Sequence, residues 1–144
     1  MAKLPHNRTW YTKKLLAKVK LCIKNRDKYI CQKCLKEVSG SNAHASHVLN
    51  VGTHKALELD PSNLKCLCSY CHLHWWHKDV LHATQWFQEK FPTRYYYLME
   101  SAKLKWKIPT VLLAELHNNT KADGTDYGIK YYEMIKEVTN VTNK

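Results

Sequence analysis

What the chain lacks narrows its class before any motif is considered. Its 144 residues contain no apolar run approaching the ~18–20 residues of a membrane span, so no membrane partner is expected. The opening MAKLPHNRTWYTKK has no apolar core of signal-peptide type. A cytoplasmic location is therefore expected, with thiols kept reduced. There is no internal repeat and no low-complexity linker. Acids are scarce: 12 Asp and Glu stand against 23 Lys and Arg, for a net charge of +11. The shortage is concentrated at one end. Residues 1–37 hold 11 basic residues and two acids, whereas residues 38–144 hold 12 and 10. A basic N-terminal segment on a nearly neutral body is the electrostatic footprint of a polyanion binder. The alternative is a solvated lysine-rich helix with no partner.

Residues 9–27 are predicted as a helix capped by Thr9, because Leu15, Leu16, Val19 and Ile23 recur at three-to-four-residue spacing. Lys13, Lys14, Lys18, Lys20, Lys24 and Arg26 occupy the rest of its circumference and are the candidate polyanion contacts. YICQKCLKEVSG reads as a short strand turning through a Cys-x2-Cys knuckle, and AHASHVLNV as a strand ended by Gly52. From about Leu64 the pattern turns helical. A helix is expected near Ser69 or Tyr70, then helices in HATQWFQEKF, TRYYYLMESAKLKWK, PTVLLAELHNN and IKYYEMIKEV. The fold class expected is α+β, a small hairpin-plus-helix unit flanked by helices.

Against these scarcities stands a crowding of histidine and cysteine in NAHASHVLNVG (42–52) and DPSNLKCLCSYCHLHWWH (60–77). In a reduced compartment, paired cysteines are metal ligands before they are disulfides. Cys31-x2-Cys34 and Cys68-x2-Cys71 offer four thiolates in two tight turns, enough to complete a tetrahedron around Zn2+. A four-thiolate site has no open position, so this metal is structural. Cys66 competes with Cys68 for the second pair but lacks the two-residue gap to Cys71. Cys22 is assigned to packing.

Between the knuckles, His47-Val48, Asn63-Leu64 and Leu67-Cys68-Ser69-Tyr70-Cys71-His72 resemble the His-Asn-His (HNH) endonucleases of ββα-metal fold, over about residues 26–78. The HASH run, with HWWHKDVLHATQWFQEKFPTRYYYL downstream, is similar to the phage NinG (Rap) recombination nucleases, a looser likeness reaching about residue 106. The resemblance implies a zinc-stabilised ββα-metal core at residues 28–82, a basic helical arm at 1–27 and a helical extension at 83–144. It implies His47 as the general base, Asn63 orienting that imidazole, and His72 binding a catalytic divalent ion. That ion would be Mg2+ or Mn2+, with Zn2+ and Ni2+ also suited to imidazole. Where many members carry a metal ligand directly before the base, this chain has Ser46. His44, on the same strand face as Ser46, is the expected replacement. His77, five residues beyond His72 on an α-helix, is about 140° away and awkwardly placed to share the ion.

The implied activity is metal-dependent hydrolysis of DNA phosphodiesters in phage-type recombination or DNA processing, on duplex or branched DNA including Holliday junctions. A bacterial host cytoplasm would follow, and a dimer if junctions are cut. The rival expectations are a general HNH nicking or restriction enzyme, a non-catalytic zinc-dependent DNA-binding module, and a structural or interaction domain.

Overall fold

The computed structural model describes residues 3–104 and 107–142, the side chains of 139–142 excepted. The fold is α+β, mostly helical, with one two-stranded antiparallel sheet. Helix α1 (Arg8–Arg26) is capped by Asn7, whose side chain accepts from the Trp10 amide, and not by Thr9, which lies inside the first turn. Strand β1 (His44–His47) pairs with β2 (Leu64–Leu67), with Ser46 opposite Lys65 and His47 opposite Leu64. β1 is shorter than the sequence pattern suggests, and β2 falls where a helical pattern was expected to begin. The expected strand at the first knuckle is reduced to a single bridge, Ile30 to Glu37.

After β2 comes a π-helix, Cys71–Trp76, followed by α2 (Val80–Lys90), α3 (Pro92–Ala102), α4 (Thr110–Asn119) and α5 (Tyr127–Thr142). Pro92 ends α2 and opens α3, where its missing N–H costs nothing. The predicted continuation of α3 to residue 107 stops at Ala102, and residues 105–106 of that stretch lie outside the described residues. No helix among the described residues is long and apolar enough to cross a membrane.

Two cores flank the hairpin. Tyr11, Leu15, Val19 and Ile23 of α1 pack with Leu64 and with α4 and α5 through Leu113, Leu116, Tyr127 and Tyr131. On the other side, Cys66 and Leu67 of β2 join the knuckles, Trp76, Phe87 and Leu98. The basic helix is therefore an interior wall and not a detached arm. Gly124, at φ +74°, lets the α4–α5 turn close on α1: a Cβ there would stand 2.4 Å from the Lys18 carbonyl oxygen.

Lys18 corrects the expected polyanion contacts, while Arg26 stays exposed but is held by the protein itself. Lys18 is 8% exposed, and its Nζ donates to the carbonyl oxygens of His117 (2.7 Å) and Thr120 (2.9 Å) and to Thr120 Oγ1 (3.0 Å). A cation belongs at that place, the carbonyl end of α4. Burial lowers its pKa, which the nearby Asp126 partly offsets. Arg26 donates to the carbonyls of Pro61 and Leu64 and pairs with Asp27, tying the end of α1 to β2. Lys13, Lys14 and Lys20 remain exposed, and Lys24 is half-buried. Lys18→Met should therefore cost about 1–3 kcal/mol of stability while leaving nucleic-acid affinity unchanged. Chemical denaturation beside a DNA titration checks both halves.

Candidate metal centre and histidine site

The two knuckles converge. The sulfurs of Cys31, Cys34, Cys68 and Cys71 all lie within 4.8 Å of one another, and Cys34 Sγ stands 3.8 Å from Cys68 Sγ. Four sulfurs held at 2.3 Å by one tetrahedral ion would be about 3.8 Å apart, so the spacing suits zinc. Each pair turns on itself so that a backbone N–H faces sulfur: Cys34 N to Cys31 Sγ at 3.5 Å, and Cys71 N to Cys68 Sγ at 3.3 Å. Leu35 adopts φ +67° to complete the first turn. Burial pushes the Cys31 thiol up, but amides of Cys34, Cys68 and Lys33 aimed at it outweigh this and bring it down to about 7, toward the thiolate a metal needs. Cys66 lies outside the cluster. Burial raises its thiol to about 11, so it stays a packed neutral group.

On the hairpin, His47 and His44 point to opposite faces of β1. His47 Nε2 lies 3.0 Å from the carbonyl oxygen of Glu58. A carbonyl only accepts, so Nε2 carries the proton and Nδ1 keeps its lone pair. Burial lowers the pKa of this imidazole, and the charge of Lys20 adds to the effect, while the Glu58 carbonyl opposes it. The result is a neutral base with a defined tautomer.

Asn63 plays a different part from the one expected. It crosses the loop, but its Oδ1 accepts from Leu49 N (2.8 Å) and its Nδ2 donates to the carbonyls of Leu57 (3.1 Å) and Leu49 (3.3 Å). No hydrogen bond joins it to the His47 ring. Fully buried, it ties the 48–58 excursion to β2 and so places Glu58, which orients His47 in its stead.

His44, His72 and His77 form a chain of rings. His44 Nδ1 is 2.9 Å from His72 Nδ1, and His72 Nε2 is 3.0 Å from His77 Nε2. His44 Nε2 donates to the Ser41 carbonyl at 2.9 Å, leaving its Nδ1 as a lone pair aimed at His72. Two imidazole nitrogens bound at a right angle to one ion at ~2.1 Å would be about 3.0 Å apart, so this pair fits two adjacent positions of an octahedral cation. Burial first, then the charges of His77 and His44, bring the His72 pKa down to about 4, which keeps it neutral as a ligand must be.

His77 reaches His72 because residues 71–76 are wound as a π-helix. A bond from His77 N to His72 O spans five residues, so positions i and i+5 fall on one face, whereas an α-helix would separate them. His77 meets the ring nitrogen that faces away from His44, and so orients His72. Among the described residues, the four cysteines are the only group of three or more metal-ligating side chains that converge on one point. The histidines therefore offer two ligands and leave the other positions open.

Ser46 meets Lys65 and not these rings. It is 1% exposed, and its Oγ accepts from Lys65 Nζ at 3.2 Å. That ammonium, fully buried, also lies 3.4 Å from the His47 carbonyl oxygen and 3.2 Å from the centre of the Trp76 ring. Desolvation lowers its pKa well below the ordinary lysine value. Its positive charge depresses the pKa of both His47 and His72. A cation already sits where a carboxylate before the base would point. Ser46→Asp should therefore pair with Lys65 and leave the divalent-ion requirement of any cleavage unchanged, as a metal titration of activity would register.

The aromatic residues divide in the same way. Trp76 and Phe87 are buried, and Trp75 and Trp86 flank Lys33, whose Nζ is 4.9 and 5.7 Å from their ring centres. Sequence reasoning missed Glu58, Ser41 and Lys65. The first two act through backbone carbonyls that no residue letter reports, and Lys65 lies in a stretch where no strand was expected.

Comparison with protein-family models, with curated proteins and with solved structures finds no match for this chain.

Proposed function

We propose that the chain is a metal-dependent DNA endonuclease of HNH type, built on a zinc-stabilised ββα-metal core, and similar to the phage NinG (Rap) nucleases of recombination and DNA processing. The observation that carries this reading is the pairing of two arrangements on one short hairpin. One is His47, fixed by the Glu58 carbonyl with an open Nδ1; the other is the His44–His72 pair, with ring nitrogens at two-ligand spacing. Phosphodiester hydrolysis needs a base for water and a cation beside the phosphate.

In this mechanism His47 Nδ1 removes a proton from the attacking water. The Glu58 carbonyl stabilises the imidazolium that results, because Nε2–H donates to it throughout. His44 and His72 would hold the divalent ion, whose contribution when bound is to neutralise charge on the phosphate and the leaving oxygen. Asn63 keeps the intervening loop in register, and His77 orients His72.

Incubation of supercoiled plasmid with Mg2+ or Mn2+, with a chelator control, tests the reading. Nicked or linear product dependent on the added ion supports it. Intact plasmid, together with intact linear and branched DNA, favours the non-catalytic zinc module instead.

DNA affinity in this reading comes from the exposed cations of α1. Neutralising Lys13, Lys14 and Lys20 should weaken DNA binding and flatten its salt dependence by about 0.9 log unit for each phosphate no longer neutralised. An unchanged slope would mean that this face of α1 does not meet DNA.

A further inference from the structure

A cavity lies between the start of α1, the 55–59 segment and residues 107–113, with a volume of about 620 Å³. Its floor is aliphatic: Leu59, Ile108 and Leu113 are 5%, 5% and 1% exposed. Its rim is cationic, formed by Arg8, Lys13, Lys55 and Lys107. The one acid on the wall is Glu58, with Lys55 Nζ 3.9 Å from its carboxylate. Arg8 spans one end, donating to the Ile108 carbonyl and to Thr110 Oγ1. Thr9 and Thr12 add hydroxyls to the α1 wall.

We propose that this cavity takes an unpaired nucleotide of single-stranded DNA, which makes a strand free of its complement the preferred substrate of the hairpin site. The inference rests on the nuclease reading for its role, though not for the binding itself. Three observations carry it.

The first is chemistry. An apolar floor beneath a ring of positive charges suits a ligand with a flat, weakly polar face and an anionic edge, which describes a base joined to its phosphates. The second is shape. A base inside a duplex is stacked and paired, so only a strand free of its complement can place one in a concave site of this size.

The third is position. The cavity wall and the holder of His47 are the same residue, because Glu58 lines the cavity and its carbonyl accepts from His47 Nε2. Lys20 stands two turns beyond Lys13 on α1, about 10.5 Å along the helix, and its charge reaches His47. A backbone tracked over Lys13 and Lys20 therefore runs from the cavity to the base. A strand with its nucleotide in the cavity would present a flanking phosphate to His47.

The test uses the full zinc-loaded chain without added Mg2+ or Mn2+, so that binding is read without cleavage. Binding of a fluorescent oligo(dT) 12-mer is compared with that of a 12-bp duplex, in wild type, Ala56→Trp and Lys107→Glu. Ala56→Trp fills the cavity from its mouth. It should weaken oligo(dT) binding by about tenfold or more and change duplex affinity less than twofold. Lys107→Glu should shift the same preference in the same direction without filling space. Oligo(dT) should also move the amide NMR signals of Ala56, Leu59, Ile108 and Leu113. Equal losses on both DNAs, no loss on oligo(dT), or unmoved cavity signals would overturn the proposal. Duplex binding without oligo(dT) binding overturns the cavity alone, whereas failure of the plasmid assay overturns the nuclease reading and leaves the cavity result standing.

Discussion

His47→Ala is expected to slow metal-dependent cleavage by about 10²–10⁴, the usual cost of losing a general base, while zinc content, fold and DNA affinity stay close to wild type. That range corresponds to roughly 3–5.5 kcal/mol of transition-state stabilisation. The substitution removes one ring from the end of β1, where it contributes a single hydrogen bond to a backbone carbonyl. Single-turnover cleavage under saturating metal, beside metal analysis and a binding titration, separates the chemical step from binding. Glu58→Ala is the matching control: the carbonyl that orients His47 belongs to the backbone and survives the change, so cleavage should persist.

His72→Ala should also abolish cleavage, but through the ion, so high Mn2+ should restore part of it and should restore nothing to His47→Ala. The pH profile adds an independent mark. Burial lowers the pKa of His47, so the base stays unprotonated to a pH below the ordinary histidine value near 6.5. The acid limb of the rate profile should therefore fall below pH 6.5. Full activity in His47→Ala would refute the assigned mechanism even if the chain cuts DNA.

The parts of this site that can be read from sequence are those whose geometry is local. Two cysteines two residues apart belong to one turn whatever surrounds them, so the four-sulfur cluster was legible, and the choice of Cys68 over Cys66 followed from spacing alone. His44 and Ser46 were placed on one strand face by the period of two, and only contact with neighbours could tell which ring met His72 and which hydroxyl met Lys65. The 140° separation of His77 from His72 assumed 3.6 residues per turn, and the π-helix instead brings the two rings together, with His77 on the nitrogen of His72 that faces away from His44. β2 was missed because all four of its residues are buried, so Leu-Lys-Cys-Leu carries no alternation of polar and apolar character. Lys18 was counted as surface charge because lysine is almost never buried without partners. Its partners, like those of Arg26, are mainly backbone carbonyls contributed by distant segments, which no pattern along α1 encodes.

Removal of the four-cysteine metal should have the largest effect on stability. Structural zinc supplies about 10–16 kcal/mol in small zinc modules, as much as the whole margin of a typical domain. Here the cluster joins the turn after α1 to the start of the π-helix, and its buried sulfurs belong to the core that holds Trp76, Phe87 and Leu98. Without an ion, three buried cysteines would face one another as thiols in a space shaped for thiolates. The hairpin would then lose its anchor to His72, and the His44–His72 spacing would go with it. Cys31→Ser and Cys71→Ser should each give a chain with less than one zinc, a broadened or absent thermal transition, and no cleavage that added Mn2+ can rescue. Cys66→Ala is the contrasting change. It removes a neutral packed thiol from the same core, so it should cost about 1–2 kcal/mol as a small cavity does and leave the zinc stoichiometry at one. Zinc release measured against folding by circular dichroism decides between them: a folded, reduced wild-type chain that carries no zinc would remove the structural role assigned to all four cysteines.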